Sequence, residues 1–337
     1  MEQLPTSPDV TTVGTTPTTV RPICGFWIRL LAFLIDLVIL RILGIVLGLV
    51  FGSLFLMMGN FARLIGLAIV LAYFGILQSH EGGGQSLGQR VTRIRVVGPD
   101  GECISTGRSL CRTAILWLPA LLNQPVIPVR ALMSPAGILL GAVWGVSAGG
   151  LVYFYLFNRT TRQSIHDLVC RTYVVKSSAE GPLSVGRVSR THYVVFPSIM
   201  VLLGVLGAVL ALTMASGPLK TVFALVDRIG SVKGGTVVGV NENYWFSSDG
   251  SRLHTIQVVI VPSLDAEPQE LAKKVGMAVE RECGDTTDID RIAVDVLFTY
   301  NILIQHASTH YVWYASPKDW RAGASGTPEV REEMNLF

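Results

Sequence analysis

Hydrophobic positions follow two different patterns along this chain, and the change comes near residue 217. Before it lie five long, nearly unbroken apolar stretches: 26–58, 61–78, 110–129, 135–157 and 194–215. Apolar runs of about 18 residues or more with few charges read as membrane-spanning helices. The first stretch would measure about 50 Å as one helix, more than a hydrocarbon core of about 30 Å, so it must tilt, bend or start along the surface. The second follows after a very short turn and predicts an antiparallel helical hairpin. The third is interrupted by Pro119, Pro125 and Pro128, with Asn123 and Gln124 beside them.

Beyond residue 217 the pattern becomes that of a soluble domain. An amphipathic stretch, 219–229, comes first. Strands are predicted at 236–246 and 253–261, turning at Ser248-Asp249-Gly250. Residues 268–283 carry Leu271, Val275 and Ala278 at helical spacing. Ile292, Val294, Val296, Phe298 and Tyr300 alternate, as in a half-buried strand, and a further strand covers 302–314. The fold class predicted is a polytopic α-helical membrane bundle of about five transmembrane helices with a C-terminal α+β soluble domain of ββαββ order. The expected divisions are a disordered cytoplasmic tail at 1–22, a membrane domain at 23–193, and a fifth transmembrane helix at 194–216. An extracytoplasmic α+β domain at 217–320 and a loose tail at 321–337 follow.

Charge sharpens the division. Half of the 337 residues are hydrophobic and only 15% are charged, against about 25% in soluble domains. Residues 1–216 carry a net +8 and residues 217–337 a net −5. Basic residues crowd two polar loops: Arg90, Arg93, Arg95, Arg108 and Arg112 after the second stretch, and Arg159, Arg162, Arg171, Lys176, Arg187 and Arg190 after the fourth. Such loops face the cytoplasm. The N-terminus is then inside, and five crossings put the C-terminal domain outside an inner membrane. The basic residues flank apolar segments instead of forming one stripe, so no nucleic-acid partner is indicated. A secretory signal is excluded by the missing basic start and the length of the first apolar run.

The polar residues that interrupt this pattern are the candidates for chemistry. Arg29 and Asp36 open the first stretch, within about 20° of one helix face and about 10.5 Å apart along the axis. A carboxylate inside an apolar helix is expensive unless compensated. One reading is an interfacial charge that snorkels to the headgroups; the other is half of a polar cluster. Glycines recur every fourth residue, at Gly44, Gly48 and Gly52 in the first stretch and at Gly137, Gly141, Gly145 and Gly149 in the fourth. Such stripes suit close helix packing, here stripe to stripe and antiparallel; a homodimer through one stripe is the alternative. Residues 83–90 brush against a phosphate-binding loop, but Gln89 stands where a Lys is needed, which favours a structural turn. The strand-like RVTRIRVV and the GPDG turn after it predict a small hairpin within this loop. The five cysteines show no CxxC spacing. His306 and His310 lie on a predicted strand, where they share a face about 13 Å apart, unsuited to a metal.

Three stretches together, RLLAFLID at the start of the first apolar run, GGGQSLGQRVTRIRVVGPDG after the second and RQSIHDLVCRTYVV after the fourth, resemble the RDD family of bacterial membrane proteins. The resemblance spans about residues 21–176 and leaves the C-terminal domain uncovered. It implies that the family's arginine is Arg29 and its two aspartates are Asp36 and Asp167, with Gln89 standing where many members carry Lys. An Arg between two carboxylates lowers the cost of holding them away from water. Such a cluster could bind a cation or pass a proton, or clamp the loop around Asp167 to the first helix. His166 adds a group that titrates near neutrality; its plainer reading is a solvated loop histidine. The family suggests a transport role for ions or small solutes. The alternative is a non-transporting scaffold or sensor whose outer domain binds an envelope partner or ligand. Expected partners are thus the lipid bilayer, an ion or small solute, and either a second copy or an envelope protein. No enzyme, cofactor or metal is implied.

Overall fold

The computed structural model describes residues 23–335 apart from 124–130, 132–133, 179–182, 184–185, 217–224, 227, 231, 247–251, 284–287 and 325. The tail at 1–22, most of the proline-rich end of the third stretch and most of the amphipathic stretch at 219–229 lie outside the described residues.

The first apolar stretch is one helix, α1 (Phe26–Met58), broken in its φ/ψ at Phe51. A single 3-10 turn at Gly59–Phe61 leads into α2 (Ala62–Leu77). The two are antiparallel: the Phe33 ring stacks on Phe74 at 6.3 Å, and Tyr73 donates to Asp36. From Phe33 to the turn α1 covers about 38 Å, while α2 needs only about 18 Å to reach Phe74. The departure at Phe51 lets α1 bend to absorb the excess. Next come the short α3 (Leu87–Val91), β1 (Ile94–Val97) and α4 (Thr106–Leu122), helical through Pro119. α4 runs antiparallel to α2: Ser109 donates to the Phe74 carbonyl at one end, and Arg63 to the Leu121 and Asn123 carbonyls at the other. α5 (Pro135–Phe157) returns, so that Tyr155 meets Phe26 at 5.1 Å. The one-and-a-half-turn α6 (Ile165–Cys170), β2 (Tyr173–Lys176) and the long α7 (Arg190–Ser216) complete this half. α7 begins beside the end of α5, with His192 against Tyr153 and Phe196 against Phe154.

Among the described residues three stretches are long and apolar enough to cross a membrane: Phe26–Leu77, which contains the α1–α2 hairpin, Pro135–Phe157 and Arg190–Leu210. Five were expected. α2 and α4 have 16 and 17 residues and fall short of that length as separate helices.

The two polar loops join each other. β1 pairs antiparallel with β2, Ile94 opposite Lys176 and Val97 opposite Tyr173. The expected hairpin after β1 is not how this strand is satisfied. Its turn forms, with Gly98 N–H donating to the Glu102 carbonyl, but the TYVV run supplies a more apolar partner strand from the other loop.

The C-terminal half holds a five-stranded sheet in chain order, β3 (Gly235–Phe246), β4 (Arg252–Pro262), β5 (Arg291–Asn301), β6 (His306–Ala315) and β7 (Glu329–Asn335). Neighbours are antiparallel except β4 and β5. Between those two the chain crosses over through α8 (Pro268–Cys283), as a parallel pair requires. Leu271, Val275 and Val279 of α8 bury against Val258, Ile260, Val294 and Val296. The short α9 (Pro317–Arg321) seats Trp320 under Gly276, its indole N–H donating to the Ile292 carbonyl. β7 corrects the expectation of a loose tail. EVREEMN looks like a loop because charges outnumber apolar residues, yet charged residues suit a sheet edge.

The sheet is fastened into the bundle. Between β5 and β6, residues 301–305 enter the cleft between α1 and α2, with Ile302 wholly buried and Ile304 nearly so. The two isoleucines join Leu40, Phe55, Val70 and Phe74 in one core. A Cβ on Gly66 would lie 1.6 Å from the Ile302 carbonyl oxygen; one on Gly44, 2.9 Å from Ile304 oxygen; one on Gly48, against the Tyr300 hydroxyl. Arg41 donates to the Ile304 carbonyl at 3.2 Å. The glycine stripes therefore do not meet as expected. The α1 glycines admit this strand turn, Gly52 approaching Tyr300 as well. On α5, Gly141 and Gly145 face open space, while Gly149 contacts Met200 of α7. Gly137 lies in the first turn of α5, where its N–H is capped by Ser134. A backbone turn approaches closer than a helix can, and only a missing side chain lets it in.

Candidate functional site

Arg29 and Asp36 share a helix face, but the structure gives them different partners. The Asp36 carboxylate accepts from Tyr73 Oη at 2.6 Å, Ser86 Oγ at 2.6 Å and the Gly88 N–H at 2.7 Å. Ser86 caps α3, and Gln89 Oε1 takes the Ser86 N–H in return, a capping box. Gly88 has no room for a side chain, since its Cβ would lie 2.0 Å from the Ala32 carbonyl oxygen. Asp36 thus pins the loop after α2 onto α1, and Gln89 closes the turn.

Asp167 pins the second loop. Its Oδ1 accepts from Arg112 Nε at 2.9 Å and Thr172 Oγ1 at 2.8 Å, and its Oδ2 from Arg29 at 3.3 Å. Arg29 also donates to the Arg162 and Val174 carbonyls, and Arg112 to Gln78 Oε1. Arg29, Arg112 and Asp167 are 5%, 4% and 1% exposed. Burial works against the Asp167 charge, but His166, Arg112, Arg29 and the Thr172 hydroxyl more than offset it and hold the carboxyl well below the usual carboxylate range.

His166 is buried, not solvated. Burial and the two arginines, against the pull of Asp167, bring its pKa down to about 4. It is therefore neutral near pH 7. Arg112 lies 3.2 Å from Nε2 and can only donate, so Nε2 is the acceptor and the proton sits on Nδ1. That Nδ1, like Arg29 Nε, is buried with no hydrogen-bond partner among the described residues.

Above this floor lies a cavity of about 410 Å³, within the range of about 300–1,000 Å³ usual for small-molecule sites. Arg29, Asp36, Gln78, Gln89, Arg112, His166 and Asp167 form its polar side, and residues of α1, α2, α4, α5 and β2 its mainly apolar walls. The expected cluster of Arg29, Asp36, Asp167 and His166 is thus gathered around one space, as two separate hydrogen-bond networks. Arg112, Gln78, Tyr73, Ser86 and Thr172 were not anticipated. The S-x-x-Q capping box at Ser86 was legible; Arg112 was hidden among loop arginines. In the sheet domain, His310 Nδ1 lies 3.0 Å from both Asp295 oxygens, and His306 Nε2 2.9 Å from Thr299 Oγ1.

Apolar helices held at one end by a buried arginine–aspartate core define a helical membrane protein. Residues 23–171 match the model of the RDD family, which covers α1 to α6 and leaves out the sheet domain. This part of the chain is similar to the RDD family, and the match spans less than half of the chain. No curated protein and no solved structure matches the chain.

Proposed function

We propose that this is a multi-pass inner-membrane protein of transport type, which handles an ion or small solute in the cavity over the Arg29–Asp167–Arg112 floor. The observation that carries the reading is that cavity: a solute-sized space inside the helical bundle with buried ionised groups on one side. In this arrangement α1, α2, α4, α5 and α7 make five crossings. The starts of α1, α4 and α7 and the ends of α2 and α5 gather at one end, where the two arginine-rich loops join. That end is cytoplasmic by its basic residues, and the sheet domain is extracytoplasmic. We assign the protein no catalysed reaction.

A second reading, a scaffold or sensor, is favoured by the β5–β6 turn, which couples the outer domain to α1 and α2 through Ile302 and Ile304. Purified protein in liposomes, assayed for flux of Na⁺, K⁺, H⁺ and small organic anions, separates the two. Transport gives flux that falls when Leu151→Trp fills the cavity. No flux under any gradient sinks the transport reading and leaves the sensor.

A further inference from the structure

The cavity's chemistry is one-sided. Every carboxylate oxygen around it already accepts a hydrogen bond: both oxygens of Asp167 from Arg112, Thr172 and Arg29, and both of Asp36 from Tyr73, Ser86 and Gly88. Among the described residues, buried polar atoms lacking partners include two donors on lining residues, Arg29 Nε and the protonated Nδ1 of His166. A ligand that brings acceptor oxygens satisfies these donors, whereas each carboxylate already has three of its roughly four acceptor sites filled and offers a bare cation little. Apart from Gln89 and the Tyr155 hydroxyl the remaining wall is apolar. Val152 and Leu156 line the cavity and are also 60% and 47% exposed on α5. A cavity wall that continues onto the apolar outer face of a membrane helix opens toward lipid, not toward water.

We propose that the cavity takes an anionic amphiphile from the surrounding bilayer leaflet, its acidic head on Arg29 and His166 and its chain along the α1–α5 gap. This rests on the cavity being the working site, and it names the ligand class. A buried guanidinium and imidazole N–H give an acidic head charge-assisted hydrogen bonds. An apolar slot open to lipid admits the chain without passing it through water.

The test uses the full chain in nanodiscs of phosphatidylcholine, with a photoactivatable phosphatidic acid as probe and a diacylglycerol with the same chains as control. The two probes differ only in the phosphate, so contact with the general lipid annulus cancels. Adducts are mapped by peptide mass spectrometry. Labelling at residues 30–33 and 151–156 should exceed that by diacylglycerol at least about tenfold, the ratio that about 1.4 kcal/mol of head recognition gives. Excess inorganic phosphate should not displace it. Leu151→Trp should reduce it about tenfold at unchanged melting temperature; Val152→Trp, at the exposed mouth, serves if the first variant does not fold. Equal labelling by diacylglycerol, labels spread evenly over α1, α5 and α7, or displacement by phosphate alone each overturn the proposal. Specific labelling without flux leaves this site standing and removes transport; flux without labelling does the reverse.

Discussion

Asp167→Asn removes one negative charge and almost no volume, and leaves two arginines facing a neutral amide. Arg112 and Arg29 approach Asp167 at 2.9 and 3.3 Å, and all three side chains are nearly inaccessible. At about 4 Å and an effective dielectric of about 20, each pair is worth about 4 kcal/mol of attraction before desolvation is counted. After that cost, stranding a buried charge typically loses about 3–5 kcal/mol. Asp36→Asn strands no cation and weakens hydrogen bonds to Tyr73, Ser86 and Gly88, for about 1.5–3 kcal/mol. The assay is SDS-titrated unfolding of the purified protein, with Asp167→Asn, Arg112→Gln and the double variant in one cycle. Asp167→Asn should be the more damaging of the two aspartate changes, and the cycle should show coupling of at least about 1 kcal/mol. An Asp167→Asn variant losing under about 1 kcal/mol, or no coupling with Arg112, would refute the buried ion-pair floor.

Asp36 and Asp167 share no hydrogen-bond donor, so their Asn variants should add within about 0.5 kcal/mol in the same titration; a larger deviation means the two networks are one. His166 resists protonation to about pH 4, against an ordinary 6.5. Its stabilising contribution is therefore present above pH 6.5 and drains as pH falls toward 4, by about 3 kcal/mol. Unfolding measured across that window should show the loss in the parent and not in His166→Gln. Gly66→Val puts a side chain where the Ile302 carbonyl sits. It should expel the 301–305 turn, exposing two isoleucines worth about 3–6 kcal/mol and opening a protease site there; continued protection of the turn would show that it is not wedged.

Periodicity sufficed for α8 and for β3 to β6, which bury an apolar face, and unbroken apolarity sufficed for α1, α5 and α7, whose outer faces stay largely exposed. It failed where satisfaction comes from a distance. β1 looked like half of a local hairpin, and nothing in RVTRIRVV says that its partner is TYVV some eighty residues later. The glycines at 44 and 48 read as helix-packing positions, but what approaches them is a strand turn whose ILI run looked like part of β6. Arg29, Asp36 and Asp167 could be named from the sequence. Their pairing could not, because helical phase puts Arg29 and Asp36 on one face and says nothing of Arg112 or Tyr73 arriving from other helices. His166 looked solvated because it lies in an arginine-rich polar loop, and nothing in the sequence shows that this loop folds back onto Arg29 and Arg112.

The turn seated between α1 and α2 also constrains the order of events during synthesis. Both helices are complete by Leu77, yet the residues that fill their cleft begin at Asn301. At about 5–20 residues per second the intervening chain takes about 11–45 s to make. Throughout that interval the α1–α2 hairpin lacks the turn that packs against its glycines in the folded chain. A ribosome that stops anywhere before residue 301 releases a bundle with that cleft still open. The filled cleft thus marks a chain whose synthesis has passed residue 305.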